Sequence, residues 1–304
     1  MSEVVVITGA TGFIGSAVVR TILAQGRRVI VITRTSSDKS RLRDVSGYEE
    51  VVADRLDDPS LSAKLREYAP TVFIHCAWRG VAGAERNQSW QISENVPFTI
   101  ASVNLAAAAG CRQWIGLGSH AEYGNLNRVI EESAPTVPTT TYGKGKLAAG
   151  IAALALCEAH GIAGAWLRVF STYGPGDAPH WLIPYAVLEL AAGRSPKLTL
   201  CEQLWDYLHV TDAAEAIACV ADGKTSGVFN LGHGRTWPLR EIIETIRAAM
   251  GTPTTAEFGA MPYRPDQVMY LEADISKLTA ATGWKPRIGL VDGIKETVNY
   301  FCHK

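Results

Sequence analysis

Short apolar runs alternate with amphipathic segments along the first half of the chain. Strands are predicted where apolar, often β-branched residues follow one another between turn-forming residues. Helices are predicted where apolar positions recur every three or four residues up to a glycine. These criteria indicate strands at 3–8, 27–34, 49–53, 71–78, 111–119 and 164–170, and helices at 16–26, 61–69, 97–110 and 146–161.

The predicted strands are apolar at successive positions rather than at alternate ones. This pattern is typical of parallel strands that are covered by helices on both faces. Because crossovers between parallel strands are right-handed, the alternation of strand and helix predicts a doubly wound, Rossmann-like sheet. The predicted fold class is therefore α/β, with ligands expected beyond the carboxyl ends of the strands.

The pattern changes after about residue 172, where prolines cluster and the strands shorten. Helices are predicted at 212–222 and 240–251, a late strand at 227–232, and two short helices near the end of the chain. We predict a dinucleotide-binding domain from residues 1–172 and about 206–230. A smaller C-terminal α/β substrate-binding domain is predicted from about 173–205 and 231–304.

Composition narrows the class of protein. Of 304 residues, 47% are hydrophobic and 19% charged, which is enough for a sizeable core and disfavours disorder. The net charge is −1, with acidic and basic residues interspersed. A nucleic-acid site would show as a basic patch or stripe, so no nucleic-acid partner is expected.

The six cysteines include no C-x-x-C pair, and most lie in apolar stretches. Free cysteine behaves there as a small hydrophobe, which indicates a reducing compartment and no metal site. The first predicted strand already includes Val4, which leaves no room for a signal peptide. No long uncharged apolar run is present, so we expect a cytoplasmic protein without a membrane span.

The segment TGATGFIG, residues 8–15, lies between the first predicted strand and the first predicted helix. Gly9, Gly12 and Gly15 give the spacing G-x-x-G-x-x-G, one residue longer at the front than the common dinucleotide fingerprint. Such glycines allow a tight turn, a close approach to a pyrophosphate, and close packing of helix on strand. The helix N-terminus adds N–H groups for the phosphates, so the segment predicts a dinucleotide site.

The residues after the second predicted strand indicate which dinucleotide binds. An NAD site commonly has a carboxylate there, but this chain has Thr33 and Arg34, followed by hydroxyl residues at 35–37. A guanidinium suits a 2′-phosphate, so NADP(H) is the preferred cofactor, and NAD stays possible with Asp38 as a displaced acid. Asp54 follows the third strand and is placed to accept from the adenine amino group.

Ser119 ends the fifth predicted strand, and Tyr142 and Lys146 have the spacing that puts two side chains on one helix face. A tyrosine pKa near 10 is too high for easy proton exchange at neutral pH. An ammonium at about 4 Å is worth about 4 kcal/mol at an effective dielectric near 20. That would bring the phenol towards the range of efficient acid–base catalysis. We therefore expect the three side chains to meet at one carbonyl or hydroxyl beside the nicotinamide.

In this order, the glycine segment, Asp54, HCAW at 75–78, Ser119 and the Tyr142–Lys146 pair make the chain resemble the extended short-chain dehydrogenase/reductase family. Within that family it is similar to the NAD(P)-dependent nucleotide-sugar epimerases, dehydratases and reductases. Further matches over essentially the whole chain are ENV at 94–96, LRVFSTYGPG at 167–176, LIP at 182–184, WDYLHVTDAAEAI at 205–217, FNLG at 229–232 and RPD at 264–266. The resemblance implies a nucleotide-sugar substrate and a homodimer built on the two alanine-rich helices.

The resemblance also implies ligand contacts at matching positions, with Lys146 on the nicotinamide ribose and Ser119, Tyr142 and Lys146 as catalytic residues. The cofactor-binding residues implied are Gly9, Thr11, Gly12, Phe13, Ile14, Gly15, Arg34, Asp54, Arg55, Cys76, Ala77, Trp78, Asn95, Tyr142, Lys146 and Phe170. The substrate-binding residues implied are Trp78, His120, Glu122, Ser171, His180, Trp181, Leu182, Thr199, Trp205 and Arg264. His75 is expected to be structural, because its strand is apolar around it.

Departures from the family pattern bear on the reaction. Dehydratases of this group have an acidic pair directly after the serine, and the enzymes that form GDP-fucose have a cysteine two positions after it. This chain has His120 and Ala121 there, which disfavours dehydration and epimerisation at C3 and C5, although His180 lies near the place of a second proton carrier. Trp205 replaces an arginine that many relatives use for the diphosphate, and Arg264 stays as a phosphate partner.

Two reactions remain. The first is NADP(H)-dependent reduction of the 4-keto group of a nucleotide-linked 6-deoxyhexose, favoured because net reduction needs an exchangeable reduced cofactor. The second is 4-epimerisation of a nucleotide sugar with tightly held NAD. A third hypothesis, a non-catalytic NADP-binding sensor, is disfavoured by the complete Ser119, Tyr142 and Lys146 set. The nucleotide, the hexose and the stereochemistry at C4 stay open.

Arg34→Ala tests the cofactor preference. The dissociation constant for NADP should rise by about tenfold or more, because the 2′-phosphate loses a charge-assisted hydrogen bond. NAD has no group at that position, so its affinity should change little. Isothermal titration with both dinucleotides measures the two effects, and equal weakening of both would reverse the preference.

Overall fold

The computed structural model describes residues 3–222 and 225–303. Its strands are β1 Val4–Thr8, β2 Arg28–Thr33, β3 Tyr48–Val52, β4 Val72–His75, β5 Gln113–Ser119, β6 Val129–Ile130, β7 Ala163–Val169, β8 Ser171–Tyr173, β9 Lys197–Leu198, β10 Leu204–His209, β11 Gly227–Leu231, β12 Thr236–Pro238, β13 Glu257–Phe258 and β14 Tyr270–Ala273. Its α-helices are α1 Phe13–Ala24, α2 Pro59–Glu67, α3 Trp90–Ser93, α4 Asn95–Ala108, α5 Thr141–Ala159, α6 Leu182–Ala191, α7 Val210–Asp222, α8 Leu239–Met250, α9 Ser276–Thr282 and α10 Leu290–Cys302.

Seven strands form the large sheet in the order β11-β7-β5-β4-β1-β2-β3. All neighbouring strands in it are parallel. The chain winds outward from β1 through β2 to β3 and then returns to β4 on the other side of β1. This topology confirms the predicted doubly wound fold, and it opens a crevice between the carboxyl ends of β1 and β4.

Helices cover the large sheet on both faces, as the successive apolar positions predict. All residues of β1, β4 and β5 are buried. One apolar cluster joins the sheet to α1 and α7, with Ile22 and Ile217 at its centre. The other joins the sheet to α2, α4 and α5, where the indoles of Trp114 and Trp166 stack with centroids 6.2 Å apart.

The smaller half has its own sheet, in the order β12-β10-β14-β6, with β8 added on β10. Helices α6, α8 and α10 pack around a third apolar cluster that includes Ile183, Ile243 and Ile294. Helix α7 and strand β11 lie with the large sheet, whereas β10 pairs only with strands of the smaller sheets. The proposed domain division therefore has α7 and β11, rather than β10, as its returning segment.

Helix α5 begins at Thr141, five residues before its predicted start. The Thr140 side chain caps it by accepting from the Gly143 N–H at 3.1 Å. Helix propensity does not predict this first turn, because glycines at 143 and 145 disfavour helix. The early start places both Tyr142 and Lys146 on the helix.

The glycine turn after β1 is packed directly against the end of β4. Gly9 has φ +70°, and a Cβ on it would lie 2.5 Å from the backbone nitrogen of Ala77. A Cβ on Gly15 would lie 2.1 Å from the Gly9 carbonyl oxygen. Gly12 precedes α1 without a side-chain cap, so the first N–H groups of the helix are left for a ligand. The turn thus fits the phosphate cradle predicted from its spacing.

Two classes of feature are absent from residues 3–222 and 225–303. No helix there combines the length and the apolar character needed to cross a bilayer. No three or more His, Cys, Asp or Glu side chains there are grouped so that they could hold a metal ion. The six cysteines are free thiols.

Gly15→Ala tests the packing of the turn. The added methyl group meets backbone rather than a mobile side chain, so the loss should reach or exceed the usual overpacking cost of about 3 kcal/mol. Urea denaturation measures the free energy of unfolding. Gly83→Ala is the matched control, because no atom lies within 4 Å of its Cβ position. A similar stability for both variants would contradict the close packing of the turn.

Candidate active site

Ser119, Tyr142 and Lys146 meet where the carboxyl end of β5 faces the first turns of α5. Their exposed fractions are 5%, 9% and 4%. The Ser119 side chain interacts with the Tyr142 phenol and acts to lower its pKa. The Lys146 ammonium donates to the carbonyl of Leu117, two residues before the serine, at 2.6 Å. The structure thus brings together the three predicted catalytic residues.

The indole of Trp78 packs against both Lys146 and Tyr142. The Lys146 Nζ lies 3.9 Å from the centroid of its indole, and the Tyr142 ring meets the indole edge-on with centroids 6.0 Å apart. The indole N–H donates to the Gln91 side-chain oxygen at 2.8 Å, which fixes the ring plane. Trp78 follows β4 directly, so it places an aromatic face in the crevice between β1 and β4.

Burial dominates the electrostatics of the two titrating groups. It lowers the pKa of Lys146 to about 7. It also raises the pKa of Tyr142, against the lowering effects of the Ser119 hydrogen bond and the Arg86 guanidinium. The expectation that Lys146 acidifies the phenol is therefore wrong for this structure. The lysine is itself desolvated, and its Nζ lies 5.9 Å from the Tyr142 ring centroid.

Asn95 holds the loop after β4 rather than presenting its amide to the crevice. Its side-chain oxygen accepts from the Arg79 N–H at 2.9 Å, and its amide nitrogen donates to the Arg79 carbonyl at 3.1 Å. Gln91 extends this clamp by donating to the Gly80 carbonyl at 2.5 Å. Both ends of the Asn95 amide are thus used, so its predicted cofactor contact is replaced by a positioning contact.

Glu122 lies beneath the serine and not in the substrate pocket, which corrects its predicted role. Its side chain is fully buried. One carboxylate oxygen accepts from the Ser119 N–H at 2.8 Å and from the Trp166 indole at 3.0 Å, while the other accepts from the Arg168 Nε at 2.7 Å. The carboxylate is therefore used in shaping the end of β5 and has no oxygen left for a sugar.

His120 and Phe170 follow β5 and β7, so the adjacent strand ends bring their rings to 5.8 Å. Burial lowers the pKa of His120 to about 3, which keeps the imidazole neutral at physiological pH. Ser171 accepts from the Trp205 indole at 2.7 Å, which joins β8 to β10. These four residues lie together beside the catalytic serine, and their ligand contacts stay predictions.

The remaining predicted substrate residues lie on the smaller half. Trp181 precedes α6, is 37% exposed, and has its ring 5.1 Å from that of His180. Leu182 is the first residue of α6. Thr199 accepts from the Cys201 N–H at 3.3 Å in the loop after β9, and Arg264 is exposed before β14. These residues therefore belong to elements of the smaller half, whereas Ser119 ends a strand of the large sheet.

Carboxylates near the end of β2 already have hydrogen-bond partners in the protein. Asp54 accepts from the N–H and hydroxyl of Thr35, and Glu50 accepts from Thr33 and pairs with Lys39. Asp38 likewise accepts from the N–H and hydroxyl of Ser40. Arg34 is exposed in the same place. Arg55, a predicted cofactor residue, forms an exposed pair with Asp57 at 2.6 Å.

His75 is buried within hydrogen-bonding distance of two threonines, with Nδ1 2.8 Å from the Thr8 hydroxyl and Nε2 3.4 Å from the Thr99 hydroxyl. This placement agrees with a structural histidine. Arg86, in the loop after β4, and Gln91, on α3, were not predicted as site residues. No periodicity or motif marks them, because their positions depend on contacts with α5 and β4.

The family comparison agrees with this geometry. The model of the NAD dependent epimerase/dehydratase family matches residues 5–232. A UDP-glucose 4-epimerase of Halalkalibacterium halodurans is 30% identical over 93% of this chain and 90% of its own. A dTDP-6-deoxy-L-talose 4-dehydrogenase (NAD(P)(+)) of Kitasatospora kifunensis is 30% identical over 96% of this chain and 93% of its own.

A solved structure supports the same assignment. A UDP-glucose-4-epimerase from Stenotrophomonas maltophila, with bound NAD and formylated UDP-arabinopyranose, superposes with a TM-score of 0.88 at 25% identity and covers 98% of both chains. The chain therefore belongs to the NAD dependent epimerase/dehydratase family, within the extended short-chain dehydrogenases/reductases, as its motifs predicted.

Glu122→Ala tests the structural role of that carboxylate. The change leaves the Arg168 guanidinium, whose side chain is 9% exposed, without its anion. Breaking a buried pair on one side costs about 3–5 kcal/mol, so the urea midpoint should fall markedly. Asp57→Ala breaks the exposed pair with Arg55 and should leave the midpoint unchanged. A small effect at Glu122 together with lost substrate affinity would return it to the substrate pocket.

Proposed function

We propose that the chain catalyses hydrogen transfer at C4 of a nucleotide-linked sugar, with a nicotinamide dinucleotide as cofactor. The observation that carries the proposal is the meeting of Ser119, Tyr142 and Lys146 at the carboxyl edge of the sheet, beside the glycine turn. Relatives that are 30% identical along nearly the whole chain act at the 4-position, one as an epimerase and one as a dehydrogenase. Both reactions fit the geometry.

The residues present suit a dinucleotide. Gly9 packs directly against Ala77, and Gly12 precedes α1 without a side-chain cap, so the first N–H groups of the helix are left for phosphates. When bound, the nicotinamide ring accepts or supplies hydrogen with its electron pair. Tyr142 gives its phenolic proton to the C4 oxygen in reduction and takes it back in oxidation. Ser119 would hydrogen-bond the same oxygen, and Lys146 would hold the nicotinamide ribose.

Dehydration is a weaker candidate. It requires an acid and a base directly after the serine, where this chain has His120 and Ala121. His120 has its pKa lowered to about 3 by burial, so it does not serve as an acid at neutral pH. The nearest following carboxylate, Glu122, is fully buried and bonded to Arg168. This environment leaves the tyrosine as the main proton carrier.

We infer more narrowly that the enzyme is an NADP(H)-dependent reductase of a nucleotide-linked 4-keto-6-deoxyhexose. Support comes from the end of β2, where Arg34 is exposed while Glu50 and Asp54 accept from Thr33 and Thr35. A free guanidinium favours a 2′-phosphate, whereas a free carboxylate would favour the hydroxyls of NAD. The second candidate, an NAD-dependent 4-epimerase, is favoured by the relative from Halalkalibacterium halodurans and by the NAD-bound solved structure.

The homodimer implied by the resemblance is part of the proposal. Helices α4 and α5 pack side by side on one face of the sheet. Ile151 on α5 is 63% exposed, which suits a side chain that a second copy would cover. The cytoplasmic location stays a prediction of the sequence.

Tyr142→Phe tests the proton transfer. Turnover should fall by about 10²–10⁴-fold, the usual contribution of a general acid or base, while cofactor affinity changes little. Tyr68→Phe, at the end of α2 and away from the crevice, is the matched control and should keep full activity. Wild-type turnover by Tyr142→Phe would remove the phenol from the mechanism. Retained binding with no activity in the wild type would favour the sensor hypothesis.

The substrate and the cofactor are resolved by a paired assay. NADPH oxidation is followed with dTDP-, CDP- and GDP-linked 4-keto-6-deoxyhexoses, and interconversion is followed with UDP-glucose and UDP-galactose. The purified protein is also denatured, and the released dinucleotide is identified. Stoichiometric NAD with interconversion would establish the epimerase, and exchangeable NADP with net oxidation of NADPH the reductase.

A further inference from the structure

Arg86 places a guanidinium on the catalytic phenol from a loop outside the predicted site. Its Cζ lies 4.8 Å from the centroid of the Tyr142 ring. Its own carbonyl accepts from the Tyr142 N–H at 2.7 Å, so backbone and side chain both hold the start of α5. The loop that carries Arg86 is itself clamped, since Gln91 donates to the Glu85 carbonyl at 3.1 Å.

This guanidinium has no anionic partner among the described residues. Ion pairs in the described ranges at this end of the sheet join Arg79 to Glu94 and Arg168 to Glu122, and none includes Arg86. Its Nε is buried and donates to no partner within residues 3–222 and 225–303. A half-buried cation without a counter-ion favours a negative charge that arises next to it.

The other charged groups around the phenol are less well placed to stabilise a phenolate. Lys146 lies on the same helix, donates to Leu117, and has its Nζ 5.9 Å from the ring centroid. Glu122, from the turn after β5, opposes a negative phenolate but is paired with Arg168. His120 is neutral, because burial and the Arg86 charge both lower its pKa.

We propose that Arg86 is a positioning residue that stabilises the Tyr142 phenolate during proton transfer. The inference rests on the proposed function, because it assumes that Tyr142 carries the proton. A cation over the ring holds the neutral phenol weakly and the phenolate strongly. The geometry therefore lowers the cost of the charged state without a contact to the substrate.

Arg86→Gln is the principal test. It keeps a planar hydrogen-bonding group and the backbone bond to Tyr142 but removes the charge. The limb of the pH–rate profile that reports the pKa of Tyr142 should move to higher pH by about one unit or more. This upward shift is expected for both reduction and oxidation. Arg86→Lys keeps the charge and should hold the limb at its wild-type position. Arg79→Gln, on the same loop but stacked on Trp90 at 4.6 Å, is the matched control and should not move it.

The outcomes separate the hypotheses. Equal loss of turnover at every pH in Arg86→Gln, with the limb unmoved, would show a merely structural role and overturn the proposal. If Arg86→Gln does not fold, Arg86→Lys carries the test alone, and an upward shift of its limb overturns the proposal. Folding is checked by thermal unfolding of each variant.

A substrate-free measurement distinguishes this proposal from the proposed function. The ultraviolet difference spectrum of tyrosinate, wild type minus Tyr142→Phe, is titrated in the complex with oxidised dinucleotide. The Tyr142 component should move to higher pH in Arg86→Gln and stay in place in Arg79→Gln. If it moves while no nucleotide sugar is turned over, the proposed function fails and the role of Arg86 stands. If it does not move, the role of Arg86 fails.

Discussion

The active-site end of the fold depends on one buried cation. Lys146 is 4% exposed, and its ammonium has two stabilising contacts, the Leu117 carbonyl at 2.6 Å and the face of Trp78 at 3.9 Å. A buried charge is costly unless it is bonded, so these contacts fix α5 against β5 and against the loop after β4. Tyr142, one turn earlier on α5, is thereby brought to Ser119, and the crevice acquires its aromatic wall.

Some charged side chains at this end of the sheet stabilise the fold, and others lie next to the reacting tyrosine. Glu122 and Arg168 neutralise each other beneath the serine, where they hold the end of β5 and the indole of Trp166. Arg86 and Lys146 lie nearer the phenol, with Cζ and Nζ 4.8 Å and 5.9 Å from the Tyr142 ring centroid. Arg86 therefore lowers the pKa of Tyr142, although burial raises it overall. Such an arrangement suits a group that must pass briefly through an anionic state.

The other end of the crevice is organised by hydrogen bonds between the end of β2 and the end of β3. Thr35 is tied to Asp54 and Thr33 to Glu50, so the segment after β2 is held close to β3. These contacts use the carboxylates that could otherwise bind ribose hydroxyls, and they leave Arg34 exposed. Cofactor preference and reaction type are therefore linked, because a reductase consumes an exchangeable dinucleotide while a 4-epimerase regenerates the one it holds.

The sequence alone determined the large sheet, the crevice and the residues that meet there. Buried parallel strands, the glycine turn and the spacing of Tyr142 and Lys146 are local patterns, so each can be recognised within a few residues. Tertiary structure alone decided the fate of Glu122, which Arg168 draws beneath the serine from a strand 46 residues away. It also decided the direction of the Tyr142 pKa and the approach of Arg86, because both depend on burial and on charges brought in by packing. Local pattern fixes which side chains a strand or helix presents, but only packing determines which charges lie next to them.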